Sequence, residues 1–315
     1  MSDKSKLSTE PYKGVRDFYP EDMAIQNYIF ETWKKVAESF GYQEYSASIL
    51  EPAELYKTKT SDEIVNEQMF TFTDRGDREV ALRPEMTPTL ARMIAARRKS
   101  LKFPVRWFSI PNVFRYEKPQ RGRKREHWQL NCDLMATDNF AGLDGEVEIV
   151  KIAYDVMKAF GAKDEDFTIK ISDRKILNTY LQMQGVSNEN IPKVIKLYDK
   201  MDKISDDEFS SELKKLDAPP PAKDFGFNLE KYKSAGIKNI EIDASIVRGF
   251  DYYTGMIFEV FDTSPENNRS LFGGGRYDNL LEIFGVEPVP TVGFGMGDVT
   301  IRDFLETHKL GPYTL

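Results

Sequence analysis

The stretch His127-Trp128-Gln129-Leu130-Asn131-Cys132-Asp133-Leu134 alternates polar and apolar residues. In an extended strand successive side chains point to opposite faces, so His127, Gln129, Asn131 and Asp133 share one face and Trp128, Leu130, Cys132 and Leu134 the other. Such a strand offers a polar floor above an apolar core, which suits a binding site and a plain solvated sheet face equally well. The preceding strand ends in Phe114-Arg115-Tyr116-Glu117, and the connection from Lys118 to Glu126 carries Arg121, Arg123, Lys124 and Arg125. It reads as too long and too charged for a tight hairpin. Arginine grips phosphate through a planar fork that stays charged, so a basic loop between these two strands would hold a polyphosphate over the polar floor.

Two further clusters carry chemistry. In Leu82-Arg83-Pro84-Glu85-Met86-Thr87 a strand runs into a helix start and leaves Glu85 and Thr87 at its mouth. Glu85 suits an ammonium group; alternatively Thr87 caps the helix and Glu85 complements its dipole. In Val247-Arg248-Gly249-Phe250-Asp251-Tyr252-Tyr253-Thr254-Gly255 a cation and two phenols stand at a strand junction beside a glycine that permits close backbone approach. The only cysteine is Cys132 and the only histidines are His127 and His308. An internal disulfide, a Cys/His metal cluster, structural zinc and Cys-His or Ser-His-Asp catalysis are therefore not expected, and no metal site is assigned.

The elements that must position these residues follow from pattern. The 315 residues carry 44 Lys+Arg against 51 Asp+Glu, a net charge of −7, with 40% hydrophobic and 12% aromatic residues, an ordinary globular composition. No apolar run reaches the roughly 18 residues of a membrane span, and the start lacks a signal-peptide segment, so a soluble, cytoplasmic protein is expected. Ile25, Ile29, Trp33, Val36 and Phe40 predict a first helix closed at Gly41. Met69 to Asp74 and Arg78 to Arg83 predict a hairpin, Thr87-Pro88 a capped helix start, and 105–116 and 127–136 two strands. Ile149, Ile152, Val156 and Phe160 predict a helix ending before Gly161. From about 173 to 238, through Pro219-Pro220-Pro221, the chain reads as a helical insertion between a first core part, 1–172, and a second, 239–315. Strands resume at Ile240 to Val247 and Met256 to Phe261, and a last helix starts at Asp298. Sheet elements on both sides of a helical insert predict an α+β fold on an antiparallel sheet flanked by helices. The common nucleotide-binding loops, Gly-x-Gly-x-x-Gly and Gly-Lys-Ser/Thr, do not occur.

Lys13-Gly-Val-Arg-Asp17, Leu82-Arg-Pro-Glu-Met-Thr87, Phe114-Arg-Tyr-Glu117 with Arg123 and Gln129, Val247-Arg-Gly-Phe-Asp-Tyr-Tyr253 and Gly274-Gly-Arg-Tyr-Asp278 follow one another in an order that resembles the histidyl-tRNA synthetase family. The resemblance runs from about residue 10 to 310 and implies the class II synthetase catalytic domain, a homodimer, and a reaction that uses ATP and Mg²⁺ to activate L-histidine and transfer it to tRNA(His). It implies Arg115 and Arg248 as catalytic groups at the α-phosphate, with Arg115, Glu117, Arg123, His127 and Arg248 around ATP. Glu85, Thr87, Gln129, Asp133, Tyr252, Tyr253 and Tyr277 would hold histidine, with Asp133 and Tyr253 reading the imidazole and Tyr252 and Tyr277 walling the pocket. Three positions depart from the family pattern: Ser48 stands where the first motif has proline, His127 where an aromatic stacks on adenine, and Thr300 where the third motif has an arginine for the ATP tail. Arg302, two residues on and about 200° round a helix, does not substitute. The family continues into an anticodon-binding domain, whereas this sequence ends at Leu315. A second family-based expectation is a non-catalytic, histidine-sensing regulatory subunit of ATP phosphoribosyltransferase.

Overall fold

The computed structural model describes residues 7–57, 64–138, 144–201, 204–222, 224–246, 253–267 and 269–313. Helix α1 (Pro20–Ser39) buries Ile29, Trp33, Val36 and Ala37 on one face, begins with proline in its first turn and closes at Phe40 before Gly41. It leads to β1 (Gln43–Glu44), β2 (Leu50–Pro52) and a single turn, α2 (Glu54–Lys57). Strands β3 (Phe70–Thr73) and β4 (Glu79–Leu82) form the predicted hairpin, with β2 on the other side of β4. Then come α3 (Thr87–Arg97), β5 (Val105–Ser109), β6 (Asn112–Phe114), β7 (Glu126–Met135), α4 (Gly145–Ala159) and β8 (Phe167–Asp173). Helices α5 (Arg174–Met183), α6 (Ile191–Tyr198), α7 (Asp206–Lys215) and α8 (Glu230–Ser234) fill the middle. Strands β9 (Ile240–Ile242), β10 (Met256–Asp262), β11 (Ser270–Arg276) and β12 (Thr291–Gly297) and helix α9 (Asp298–Thr307) complete the chain.

The large sheet runs β1-β5-β7-β12-β11-β10-β8-β9, with β6 added to the start of β7. Its interior is antiparallel, as expected, but the outer pairs β1/β5 and β8/β9 are parallel. The expected strand 105–116 is two strands interrupted at Ile110-Pro111, because proline cannot donate to the ladder. One face of the sheet is sealed by α1, α4 and α9. Trp33, Leu130, Cys132, Leu134, Ile149, Val156, Phe258, Phe294 and Phe304 belong to one buried cluster, which Leu177, Leu181, Val194, Leu197 and Leu213 of α5, α6 and α7 also join. At roughly 1.5–3 kcal/mol per fully buried large apolar side chain, this face supplies the main favourable term. On the opposite face Leu90, Ala91 and Ile94 of α3 pack with Val105, Met135 and Leu280 at one end of the sheet, and the rest is open for polar side chains.

Thr87 differs from its expected role as a capping hydroxyl. Met86 occupies the cap position and no side chain caps the helix, so Thr87 lies inside the first turn with its side chain turned to the polar sheet face. Its neighbour Arg83 is structural. Only 4% exposed, it donates to the carbonyls of Asn112 and Ala47, both at 2.8 Å, and to Asn112 Oδ1 at 3.0 Å, stitching β4 to β6 and to the segment before β2.

Candidate active site

Strand β7 is the floor. Leu130, Cys132 and Leu134 are fully buried in the core, while Gln129, Asn131 and Asp133 project into the open face, as the alternation predicts. Room for them comes from β12, which reads Thr-Val-Gly-Phe-Gly-Met-Gly. Val292, Phe294 and Met296 enter the core, and Gly293, Gly295 and Gly297 pair with Asp133, Asn131 and Gln129. A Cβ at Gly293 would overlap Asp133 Oδ1, and one at Gly295 would overlap Gln129 Nε2. The side chains of β7 therefore lie across a stretch of β12, Gly293 to Gly297, that has none of its own on that face. Sequence reasoning missed this glycine row and left Asn131 out of the site; the signal was the strict glycine–apolar alternation of 292–297.

Asp133 is 4% exposed and accepts a hydrogen bond from the Tyr277 hydroxyl. Burial raises its pKa from 3.8 to about 7, against the lowering effect of that bond. Tyr253 meets Tyr277 edge to face, centroids 6.3 Å apart, and burial with the nearby Glu85 and Asp133 carboxylates keeps its phenol protonated. Glu85 is 2% exposed. Together Glu85, Thr87, Gln129, Asn131, Asp133, Tyr253 and Tyr277 line an inner lobe of about 480 Å³.

A second, outer lobe of about 370 Å³ is lined by Gln68, Glu117, Lys124, His127, Val299 and Thr300 among others. Arg115, Arg123, Gln129 and Gly295 line both lobes, so the two form one cleft bridged by guanidinium groups. Arg115 Nε donates to the Pro84 carbonyl at 2.9 Å, which sets the plane of its guanidinium at the junction. Arg123 Nη1 lies 3.5 Å from Glu117 Oε2. Burial first, then the Arg115 and Arg16 cations, push His127 down to about 3, so its ring is neutral. The basic connection between β6 and β7 is, as expected, no tight hairpin, but its tip holds a local turn: Gln120 and Arg123 exchange backbone hydrogen bonds of 3.1 and 3.0 Å around Gly122, whose φ is 75°. Glycine adopts that left-handed geometry without strain, which is why so charged a segment can still turn sharply.

Beside His127 sits a fully buried carboxylate. Asp298 Oδ2 accepts from Arg16 Nη2 at 2.7 Å and Gln26 Nε2 at 2.9 Å, and Oδ1 accepts from the Trp128 amide at 2.9 Å. It ties the segment before α1, α1 itself and α9 to β7. Thr300 lines the outer lobe, but its hydroxyl donates inward to the Leu271 carbonyl at 2.7 Å. Arg302 turns away, with Nη2 on Asp22 Oδ1 at 2.7 Å, in keeping with its angular position on α9. Ser48 lies on a separate surface groove with Arg92 and Trp107. Arg248 and Tyr252 lie outside the described residues.

A largely antiparallel sheet closed by helices on one face and carrying a two-lobed cleft on the other is the architecture of the class II aminoacyl-tRNA synthetases. The structure superposes on that of a histidyl-tRNA synthetase from Nostoc sp. PCC 7120 with a TM-score of 0.78 at 22% identity, over 96% of this chain and 76% of that one. The chain belongs to the histidyl-tRNA synthetase family, whose profile matches residues 14–225 and 228–299. It is 46% identical to the histidine–tRNA ligase of Leptospira biflexa over 98% of this chain and 77% of that protein, and 39% identical to that of Opitutus terrae over 95% and 75%.

Proposed function

We propose that this chain is a histidine–tRNA ligase, which condenses L-histidine with ATP to histidyl-adenylate and passes the histidyl group to the terminal ribose of tRNA(His). The observation that carries the reading is the junction of the two lobes. Arg115 and Arg123 face both, so an amino-acid carboxylate in the inner lobe and a polyphosphate in the outer lobe would meet at the same fixed cations. In the inner lobe Glu85, Thr87 and Gln129 would receive the α-ammonium group. The imidazole would donate its N–H to Asp133 while Tyr253 hydrogen-bonds the other nitrogen, with Tyr277 and Tyr252 as walls. A side chain without those two nitrogens would leave buried groups unpaired, the kind of mismatch that discriminates strongly.

In the outer lobe the neutral His127 ring offers a flat face to adenine, and Glu117 and Arg123 flank the nucleotide. A histidine carboxylate oxygen attacks the α-phosphorus, the bond to the bridging oxygen breaks, and pyrophosphate leaves with that oxygen. Arg115, held by Pro84, would balance the charge that builds on the α-phosphate oxygens, a fixed cation needing no rearrangement at the moment of reaction. Arg248 is assigned to the same charge by the family motif alone. Among the described residues no group of three or more His, Cys, Asp or Glu converges on a point. This suits a Mg²⁺ ion that arrives on the polyphosphate and keeps most of its water. A homodimer and a cytoplasmic location belong to the same reading; among the described residues no helix is long and apolar enough to cross a membrane.

The test is histidine-dependent exchange of labelled pyrophosphate into ATP, with Arg115→Ala as the blank. Exchange that requires histidine and is lost in the variant supports activation. Histidine binding without exchange would remove the ligase reading and point to a histidine-sensing regulatory subunit, to be sought with its partner enzyme.

A further inference from the structure

The outer lobe has walls of opposite character. Its α9 side presents Val299 and Thr300, and the Thr300 hydroxyl is committed to the Leu271 carbonyl. The arginine that α9 does carry, Arg302, is engaged with Asp22 and the Tyr313 hydroxyl. The loop side presents Arg115, Arg123 and Lys124. Arg115 and Arg123 stand at the junction shared with the inner lobe, whereas Lys124 lines the outer lobe alone. Two arginines at the junction match the reacting phosphate and carboxylate. A triphosphate, however, brings further charge beyond that point, and a buried or half-buried anion needs a partner.

The loop that carries Lys124 is built to hold it there. Arg269 Nη1 donates to the Arg121 carbonyl at 2.8 Å, its guanidinium fills the space that a Cβ on Gly122 would need, and its other nitrogens are fixed on Asn267 Oδ1 at 2.7 Å and Asp303 Oδ2 at 3.3 Å. The loop tip is thereby pinned to the segment before β11 and to α9, and Lys124 is half-buried two residues beyond it.

On the basis of the ATP-dependent activation proposed above, we infer that Lys124 holds the terminal phosphates of ATP from the loop side, in a lobe whose α9 wall supplies no charge to them. The role is specific to the tail. Lys124→Met should weaken ATP about tenfold while leaving AMP within about twofold, since AMP has no β- or γ-phosphate.

Calorimetry on the intact chain compares ATP and AMP binding in wild type, Lys124→Met and the double variant Lys124→Met/Thr300→Arg, and pyrophosphate exchange is measured beside it. Thr300→Arg sets a cation on the opposite wall and should recover most of the lost ATP affinity. A Lys124→Met protein that binds ATP as wild type does, or that loses ATP and AMP equally, overturns the inference; the second result would put Lys124 on the part of the nucleotide that AMP shares with ATP instead of on the tail. Thermal melting checks that the variants fold, and Lys124→Gln serves if Lys124→Met does not. A wild type that neither binds ATP nor exchanges pyrophosphate removes the activation reading itself. Exchange by wild type with unaltered ATP binding in Lys124→Met removes only the assignment of Lys124.

Discussion

Replacing Asp133 by Asn should stabilise the fold at pH 8 while removing the part of the pH dependence of histidine binding that the protein itself contributes. Burial holds the Asp133 carboxyl at about 7, against 3.8 for an unburied aspartate. A raised carboxyl pKa means that the folded chain keeps a proton which the unfolded chain has released, so stability falls as pH rises from about 4 to about 7 and levels off above. The ionisation penalty is roughly 1.6 kcal/mol at pH 5 and about 4 kcal/mol at pH 8, from 1.36 kcal/mol per pH interval separating folded and unfolded behaviour. Asparagine keeps the shape and can still accept from the Tyr277 hydroxyl, so the variant loses the ionisation and little else. Urea unfolding at pH 5, 6, 7 and 8 should show the variant gaining over wild type by an amount that widens by about 2–3 kcal/mol across the series. A gap that stays constant over that range would refute the assignment of a retained proton to Asp133.

Binding has the opposite sign. An imidazole N–H bonds the ionised carboxylate more strongly than the carbonyl oxygen of the neutral acid, so wild-type affinity for histidine should climb as pH rises through about 7 and then plateau, beyond the titration of the free ligand that both proteins share. Asp133→Asn should bind more weakly at pH 8 and show no climb of its own. The same group thus costs stability at the pH where it serves recognition, and calorimetry on the pair of proteins separates the two effects.

Arg115→Ala should lower the rate of adenylate formation by about 10²–10³ while changing histidine affinity far less, because its charge is matched to the displacement; equal losses in exchange rate and in calorimetric affinity would deny it that role. Gly295→Ala forces a Cβ onto Gln129 Nε2 and should cost on the order of 100-fold in kcat/KM for exchange, since an ångström of displacement suffices for such a loss. Asp298→Ala strips Arg16, Gln26 and the Trp128 amide of a buried partner and should destabilise the fold by about 3–5 kcal/mol in urea unfolding.

Much of the candidate site could be read directly because its floor is a strand, and a strand declares both of its faces through period-two alternation. His127 to Leu134 separates into core and cleft without any knowledge of what lies beside it. Other features depend on neighbours distant in sequence. Asn131 reads as one more polar residue until Gly295 is known to lie opposite it. The glycines of β12 look like flexibility rather than a cradle until β7 is placed beside them. Thr87 and Arg83 show the reverse case, where local rules give a sound but different answer. A hydroxyl before Pro88 is a fair cap, yet the helix begins one residue earlier, and the arginine of a motif rich in functional residues is consumed by backbone carbonyls. Charge and length rightly speak against a tight hairpin between β6 and β7, but they do not show how the loop tip is held: Arg269, well over a hundred residues away, pairs with Asp303 and supplies the donor that anchors Arg121. Sequence pattern exposes what a single element dictates; the cleft's two-lobed shape and the difference between its walls arise only where β7, β12, α9 and the loop meet.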